Sequence, residues 1–296
     1  MLLAFTSTPI LAKLRVATYN IRNFDYDVRS NTPTNKTHLV NIITEMNPDI
    51  MAVQEINEKE EFEFMIKTFF KGQYKTALSD CGGAHGQKLG FIYNSQKFKL
   101  IKFKEDLRTV NVNGQDTNPQ TLCHQGSRPL AIAEFKNIKT NKKIIAISVH
   151  LKSGGRTSNI EKRFKQIDVL GDVANDFIEY GFKNVIIMGD FNSTEYINKG
   201  PNYKRFRSSV QHMNMVDSTS ELACTSYWWG GAQDQKQYPS TLDHILVSNE
   251  LMKNKTHKTY QYGHCKKLSC QVTSELEMGI SFDEVSDHCP IITEID

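Results

Sequence analysis

The sequence predicts an α/β fold in which two sheets pack face to face with helices outside. Three observations carry that expectation. A strand-like run, a helical run and a second strand-like run follow one another in the first half, and the same order recurs in the second. Each unit ends in carboxylates at the C-terminal end of its last strand. No low-complexity block or Pro/Ser-rich linker divides the chain, so residues 13–296 are taken as one domain.

Leu14 to Asn20 (LRVATYN) alternates and ends on a polar residue, as a strand reaching a sheet edge does. Thr37 to Met46 has apolar residues at 39, 42, 43 and 46, a helical spacing, and Asn47-Pro48 stops it. Asp49 to Glu55 (DIMAVQE) reads as a buried strand ending on a carboxylate, which completes a βαβ unit. Glu58 to Phe70 reads as the next helix. Strand-like runs follow at 87–94, 97–104, 128–136 and 143–149, the last leading into His150. Asn159 to Tyr180 is predicted as one long helix from apolar positions 160, 164, 167, 170, 173, 174, 177 and 178. Val185 to Met188 then runs into Gly189-Asp190-Phe191-Asn192, and strands at 241–248 and 290–295 close the domain.

A chain of 296 residues buries about three quarters of its unfolded surface, enough for a core without a metal cluster or dense disulfides. Hydrophobic residues at 39% and charged residues at 23% exclude a disordered or fibrous chain. The net charge of +3 tolerates a nucleic-acid partner without demanding one. No apolar run approaches the ~20 residues of a membrane span, so no integral membrane protein is expected.

Residues 1–12 (MLLAFTSTPILA) read either as the tail of a secretory signal, although a basic n-region is missing, or as a disordered N-terminus. Six cysteines stand at 81, 123, 224, 265, 270 and 289, with no CxxC pair. Cys289, opening an apolar run, reads as a buried thiol. The other five lie in loop-like stretches and lean toward an oxidising compartment with one or two disulfides. A secreted or periplasmic protein is therefore expected, with a cytoplasmic one as the alternative, and a monomer in either case.

Polar groups collect at the strand ends: Asn20, Glu55, His150, Asp190 with Asn192, Asp243 with His244, and Asp287 with His288. In an open α/β architecture such ends gather at one rim, where ligands bind. Carboxylates with an amide are the hard oxygen ligands that Mg²⁺ or Mn²⁺ prefers, and Ca²⁺ also takes. A His–Asp pair beside such a metal supplies proton transfer. Together these parts describe hydrolysis of a phosphate ester.

TYNIRNF (18–24), VQE (53–55), HLKS (150–153), GDFN (189–192), LDHILVS (242–248) and SDHCPI (286–291) resemble, in order, the signatures of the endonuclease/exonuclease/phosphatase superfamily. Deoxyribonuclease I, exonuclease III, neutral sphingomyelinases and inositol polyphosphate phosphatases belong to it. The resemblance covers nearly the whole chain and implies a four-layer αββα sandwich, two mixed sheets with helices outside, acting as a divalent-metal phosphodiesterase. It implies that Asn20 and Glu55 hold the metal, with Asp287 nearby. His288, oriented by Asp243, would be the general base or acid, and Asp190 would position the attacking water. Asn192 and His150 would hydrogen-bond the scissile phosphate, and Arg128 would grip it. Where deoxyribonuclease I pairs the histidine equivalent to His150 with a glutamate, the best match here is Gln87, an amide that holds an imidazole without stabilising its charge.

The loops choose the substrate. Tyr227-Trp228-Trp229-Gly230-Gly231 either stacks on a base or packs its own aromatics on the domain edge. Tyr203-Lys204-Arg205-Phe206-Arg207 either tracks a phosphate backbone through Arg205 and Arg207 or forms a solvated helix face. Lys97, Lys99, Lys102 and Lys104 protect a sheet edge. With neither a long apolar hairpin nor a concentrated basic cluster, a nuclease acting on DNA, or on RNA, is expected ahead of a sphingomyelinase-like or inositol-phosphate enzyme or a non-catalytic binding module. The pairing of Arg128 with His150 points the same way by its likeness to deoxyribonuclease I.

Overall fold

The computed structural model describes residues 13–27, 31–114, 116, 118–124 and 126–296. The candidate signal remnant, residues 1–12, lies outside them. Two six-stranded sheets dominate. The first has the order β15–β17–β1–β4–β6–β5, built from β1 (Leu14–Phe24), β4 (Ile50–Ile56), β5 (Tyr74–Leu78), β6 (Lys88–Asn94), β15 (His257–Gln261) and β17 (Ile291–Ile295). The second has the order β11–β14–β10–β9–β8–β7. Its strands are β7 (Phe98–Asp106), β8 (Leu130–Asn137), β9 (Lys143–His150), β10 (Val185–Asp190), β11 (Met215–Asp217) and β14 (Asp243–Ser248). A short ribbon of β2 (Tyr26–Asp27) and β3 (Thr32–Pro33) flanks the first sheet, and a three-stranded sheet, β12 (Ser226–Trp229), β13 (Lys236–Ser240) and β16 (Thr273–Ser274), stands apart from both.

Alternation of side chains along each strand generates the layers. Val16, Ile50, Ala52, Phe91, Ala133, Ile186, Met188 and Val247 form one cluster between the sheets. Their neighbours Ala17, Tyr19, Met51 and Val53 face outward and are covered by Leu39, Ile43 and Met46 of α1 (Lys36–Met46) and Phe62, Met65 and Ile66 of α2 (Lys59–Phe69). On the second sheet, Val185 and Ile187 face out toward Phe164, Ile167, Leu170 and Val173 of α4 (Thr157–Glu179) and Phe206 and Val210 of α5 (Pro201–His212). Four layers, αββα, follow from these three clusters. The short helices α3 (Pro119–Cys123), α6 (Asn249–Met252), α7 (Gly263–Lys267) and α8 (Ile280–Asp283) sit in connections.

Both sheets are mixed. β1 runs parallel to β4 and antiparallel to β17; β10 runs parallel to β9 and antiparallel to β14. The parallel pairs are the two βαβ units, so Asn20, Glu55, His150 and Asp190 all arrive at one rim. Helix α1 is capped by the Asn35 side chain, which accepts from His38 N, and it ends at Asn47, whose left-handed φ of 42° precedes Pro48. The edge position of β7, with Lys99, Lys102 and Lys104 exposed, matches the expected edge protection, whereas Lys97 lies just before the strand and pairs with Asp49.

Two expectations change. Cys289 is not a thiol: it is disulfide-bonded to Cys265, alongside Cys81–Cys123 and Cys224–Cys270, so all six cysteines are paired. Its partner sits in α7, which folds back against the end of the chain. The Tyr-Trp-Trp segment is strand β12 rather than a loop. No described helix is long and apolar enough to cross a membrane.

Candidate active site

Three of the site segments leave the extended conformation where they reach the rim. Glu55 has φ 60°, Asn192 φ 51° and Asn23 φ 52°; asparagine takes such left-handed values more readily than other side chains, whereas for a glutamate they are uncommon. The β4–β6 register shifts between Val53 and Ile56, so Glu55 lies on an irregularity that re-aims its side chain. Beneath the rim a buried polar bridge joins the sheets: Thr18 Oγ1 donates to Gln54 Oε1 (3.2 Å), and Gln54 Nε2 donates to Ser148 Oγ (3.1 Å).

Asp190 is the hub. Its Oδ2 accepts from Asn20 Nδ2 at 3.1 Å and lies 3.3 Å from His150 Nε2 and 3.7 Å from His288 Nε2; its Oδ1 accepts from the Asn192 amide at 2.7 Å. Asn20 Nδ2 also donates to Glu55 Oε1 at 3.2 Å, which brings the amide and two carboxylates together. His288 Nδ1 lies 2.8 Å from Asp243 Oδ2. Asn192 Nδ2 donates to Leu151 O, fixing it beside the His150 strand end.

Burial pushes the Asp190 carboxyl up to about 7, against the opposing pull of His288. Burial also opposes charge on His288, but Asp243 and Asp190 outweigh it and hold that imidazole well above its usual value. His150 moves the other way, well below the usual histidine value, through burial and then the positive charges of Arg128 and His288.

Asp190, Asp243 and His288 place three ligand atoms within 4.8 Å of one another. Asp243 Oδ1 is buried without a hydrogen-bond partner among the described residues, and Asp287 lines the same cleft. Glu55 and Asp287 line the cleft beside Asp190, with the Asn20 side chain on Glu55 Oε1, and these oxygen donors with their concentrated negative charge fit a hard divalent cation.

The cleft above this centre encloses about 1110 Å³. Its lining includes polar and basic side chains, among them Arg22, Asn57, His85, Gln87 and Arg128, and aromatic ones, among them Tyr26, Tyr227, Trp228 and Trp229. Gln87 does not hold His150, whose Nδ1 has no partner among the described residues. It accepts a hydrogen bond from Arg128 Nη2 and donates to Asn23 Oδ1 (2.7 Å), so its amide orients the guanidinium. Arg205 and Arg207 are not brought to the cleft. Arg205 pairs with Glu161 (3.1 Å) and lies over the Phe164 ring, and Arg207 turns inward to Asp217 (3.2 Å).

Sequence reasoning missed the residues that hold the site loops. Arg163 of α4, fully buried, donates to Lys152 O, Gly154 O, Thr194 Oγ1 and Glu195 Oε1. Gln166 accepts from Lys152 N at 2.8 Å. These two side chains occupy the inward face of a helix, where charge and amides cost stability unless paired, and that misplacement was the available signal.

The fold and this rim define a hydrolase of phosphoesters. The chain belongs to the Endonuclease/Exonuclease/phosphatase family, whose pattern matches residues 17–288. No curated protein matches in sequence. Solved structures share the fold. The human Nocturnin catalytic domain with bound sulfate aligns at 17% identity over 96% of this chain and 93% of that one, TM-score 0.65. A Bacteroides thetaiotaomicron mannosyl-6-phosphatase aligns at 17% over 96% and 99%, TM-score 0.64. D. rerio TDP2 complexed with single-strand DNA product aligns at 16% over 97% and 100%, TM-score 0.63.

Proposed function

We propose that the protein is a divalent-cation-dependent nuclease, an endonuclease acting on DNA, and that RNA is the second candidate substrate. The observation that carries this reading is the mixed lining of the cleft: basic and amide side chains, Arg22, Arg128, Asn57 and Gln87, together with the half-exposed indoles of Trp228 and Trp229. A chain of nucleotides offers phosphates to the first set and bases to the second.

Asn20, Glu55 and Asp287 would hold the cation, Mg²⁺ or else Mn²⁺ or Ca²⁺. When bound it would neutralise developing charge on the phosphate oxygens. Asp190 orients the attacking water and stands next to both imidazoles. His288, held by Asp243, moves the proton between water and leaving oxygen. Asn192 and His150 hydrogen-bond the scissile phosphate, and Arg128, aimed by Gln87, supplies fixed positive charge there. Trp228 and Trp229 contact the substrate beyond that phosphate. Arg205 and Arg207 are left out, because both are occupied elsewhere. The three disulfides support a secreted or periplasmic location.

Incubation with supercoiled plasmid, linear DNA, RNA, sphingomyelin and inositol phosphates, each with Mg²⁺, Mn²⁺, Ca²⁺ or EDTA, tests the reading. Nicked and then linear plasmid in Mg²⁺ is the expected result. Turnover of a lipid or inositol phosphate with intact plasmid would replace it.

A further inference from the structure

We propose that the β12–β13 ribbon is a stacking subsite for one unpaired base next to the scissile phosphate, which makes single-stranded or locally melted polynucleotide the preferred substrate. This deepens the nuclease reading and rests on it.

The ribbon begins inside the catalytic segment. Tyr227 N donates to Asp287 O (2.9 Å), Cys289 N donates to Thr225 O (2.7 Å), and Ser226 bridges His288. Trp228 and Trp229 are thus two and three residues beyond the position paired with His288. At about 3.3 Å per residue they lie roughly 7–10 Å along the strand from it, the reach of one neighbouring nucleotide. Two disulfides fix this distance: Cys224–Cys270 closes just before β12, and Cys265–Cys289 just after His288. The Tyr227 hydroxyl is tied to Gln271 O at 3.0 Å.

The aromatic surface is prepared in advance. Trp228 stacks on its cross-strand partner Tyr238 at 5.2 Å between centroids and 28° between planes. Tyr238 is held in turn by Asp234 Oδ2 at 2.7 Å. Gly230 lets the turn close over that ring, since a Cβ there would meet Tyr238 Cε2 at 2.5 Å. Trp228 and Trp229 nevertheless remain 43% and 53% exposed beside the cleft. Consecutive strand residues face opposite sides of the ribbon, so Trp228, stacked on Tyr238 yet half-exposed at the cleft, is the indole placed to take a flat ring that arrives with the substrate.

A base inside a duplex has both faces covered by its neighbours and shows a protein only its edges. An indole face therefore takes a base that is already unstacked, or must pay to unstack it. Stacking on an aromatic side chain is sequence-tolerant and changes affinity by between about 5-fold and 150-fold per base.

The test compares kcat/KM in Mg²⁺ for one oligonucleotide sequence as single strand, as duplex, and as single strand carrying an abasic residue at successive positions. Wild type, Trp228→Ala, Trp229→Ala and Trp228→Phe are assayed, with circular dichroism to show that each variant is folded. Single strand should be cut at least about 10-fold faster than duplex. Trp228→Ala should lose about 5-fold to 150-fold on it, and Trp229→Ala, on the opposite face of the strand, less. Trp228→Phe should retain most activity, and the abasic substrate that already lacks the stacked base should not respond to the substitution. A small chromogenic phosphodiester, which carries no base to stack, is assayed alongside with the wild-type protein. Duplex cut as fast as single strand, or equal losses on abasic and intact strands, would overturn this inference while leaving the nuclease reading in place. Turnover of the small ester with neither form of polynucleotide cut would overturn both.

Discussion

His288–Asp243 and His244–Asp217 are built from the same two kinds of side chain, and one member of each, Asp243 and His244, stand next to one another on β14, yet the pairs face opposite environments. His288 Nδ1 lies 2.8 Å from Asp243, and its Nε2 looks across the cleft at Asp190, 3.7 Å away. His244 Nδ1 lies 3.2 Å from Asp217, but its Nε2 is closed off by Ser193 Oγ at 2.7 Å. Phe191, Tyr196 and Phe206 surround that ring. Asp217 accepts from Thr219, Tyr196 and Arg207 besides His244, whereas Asp243 Oδ1 has no partner among the described residues. A closed pair spends all its hydrogen-bonding capacity on the fold. An open pair keeps some for a substrate or an ion.

The largest effects should fall on the open pair's surroundings alone. Excess EDTA should abolish turnover of plasmid and small phosphodiester alike, and Glu55→Ala should remove most of it with the folded state intact. A strand-end carboxylate at the rim contributes little to packing. Full activity in EDTA would remove the cation from the mechanism.

Next comes the imidazole itself. His288→Ala should lower kcat by roughly 10²–10⁴-fold, the span expected for a lost proton-transfer group. The unfolding midpoint should shift little by comparison. His244→Ala should reverse the pattern, destabilising the protein by about 2–5 kcal/mol through a cavity in the aromatic cage and the hydrogen bonds lost at Asp217 and Ser193. Its residual activity per folded molecule should remain within about an order of magnitude of wild type. Equal kinetic losses from the two substitutions would erase the distinction between the pairs.

How much of this could be read in advance depends on what kind of pattern each feature leaves. The two βαβ units and the polar strand ends were legible, because apolar periodicity and a terminal carboxylate are both local. Asp243-His244 was legible as a motif but not as two destinations. Only the alternation of β14, once its register is fixed, sends Asp243 to the cleft and His244 into the aromatic cage. Arg205 and Arg207 read either as a phosphate track or as a solvated helix face, because charge beside aromatics looks alike on a free helix and a packed one. Their true partners, Glu161, Phe164 and Asp217, come from other elements. Trp228-Trp229-Gly230-Gly231 reads as a loop, since glycines follow the indoles directly, and its strand partner lies across a turn. Gln87 lines the cleft beside Arg128 rather than His150, because sequence order does not say which of the two it reaches.

The smallest predicted effect separates charge from shape in the closed pair. Burial pushes the Asp217 carboxyl up, but the His244 ring and the Thr219 hydroxyl and amide outweigh burial and hold it down at about 2. An unfolded aspartate titrates near 3.9. A group whose folded value is depressed stabilises the protein above the unfolded value and loses that contribution as pH falls through the folded one. Asp217 should therefore supply about 2–3 kcal/mol at neutral pH, lost between roughly pH 4 and pH 2. Asp217→Asn cannot titrate, so the stability gap between it and wild type should be widest above pH 5 and narrow by about that amount near pH 2. Urea unfolding of both proteins across this range measures it, and the difference between them cancels the other carboxylates that titrate in the same window. A gap that stays constant from pH 7 to pH 2 would mean that Asp217 holds His244 by shape and hydrogen bonding, and that only the open pair is organised by charge.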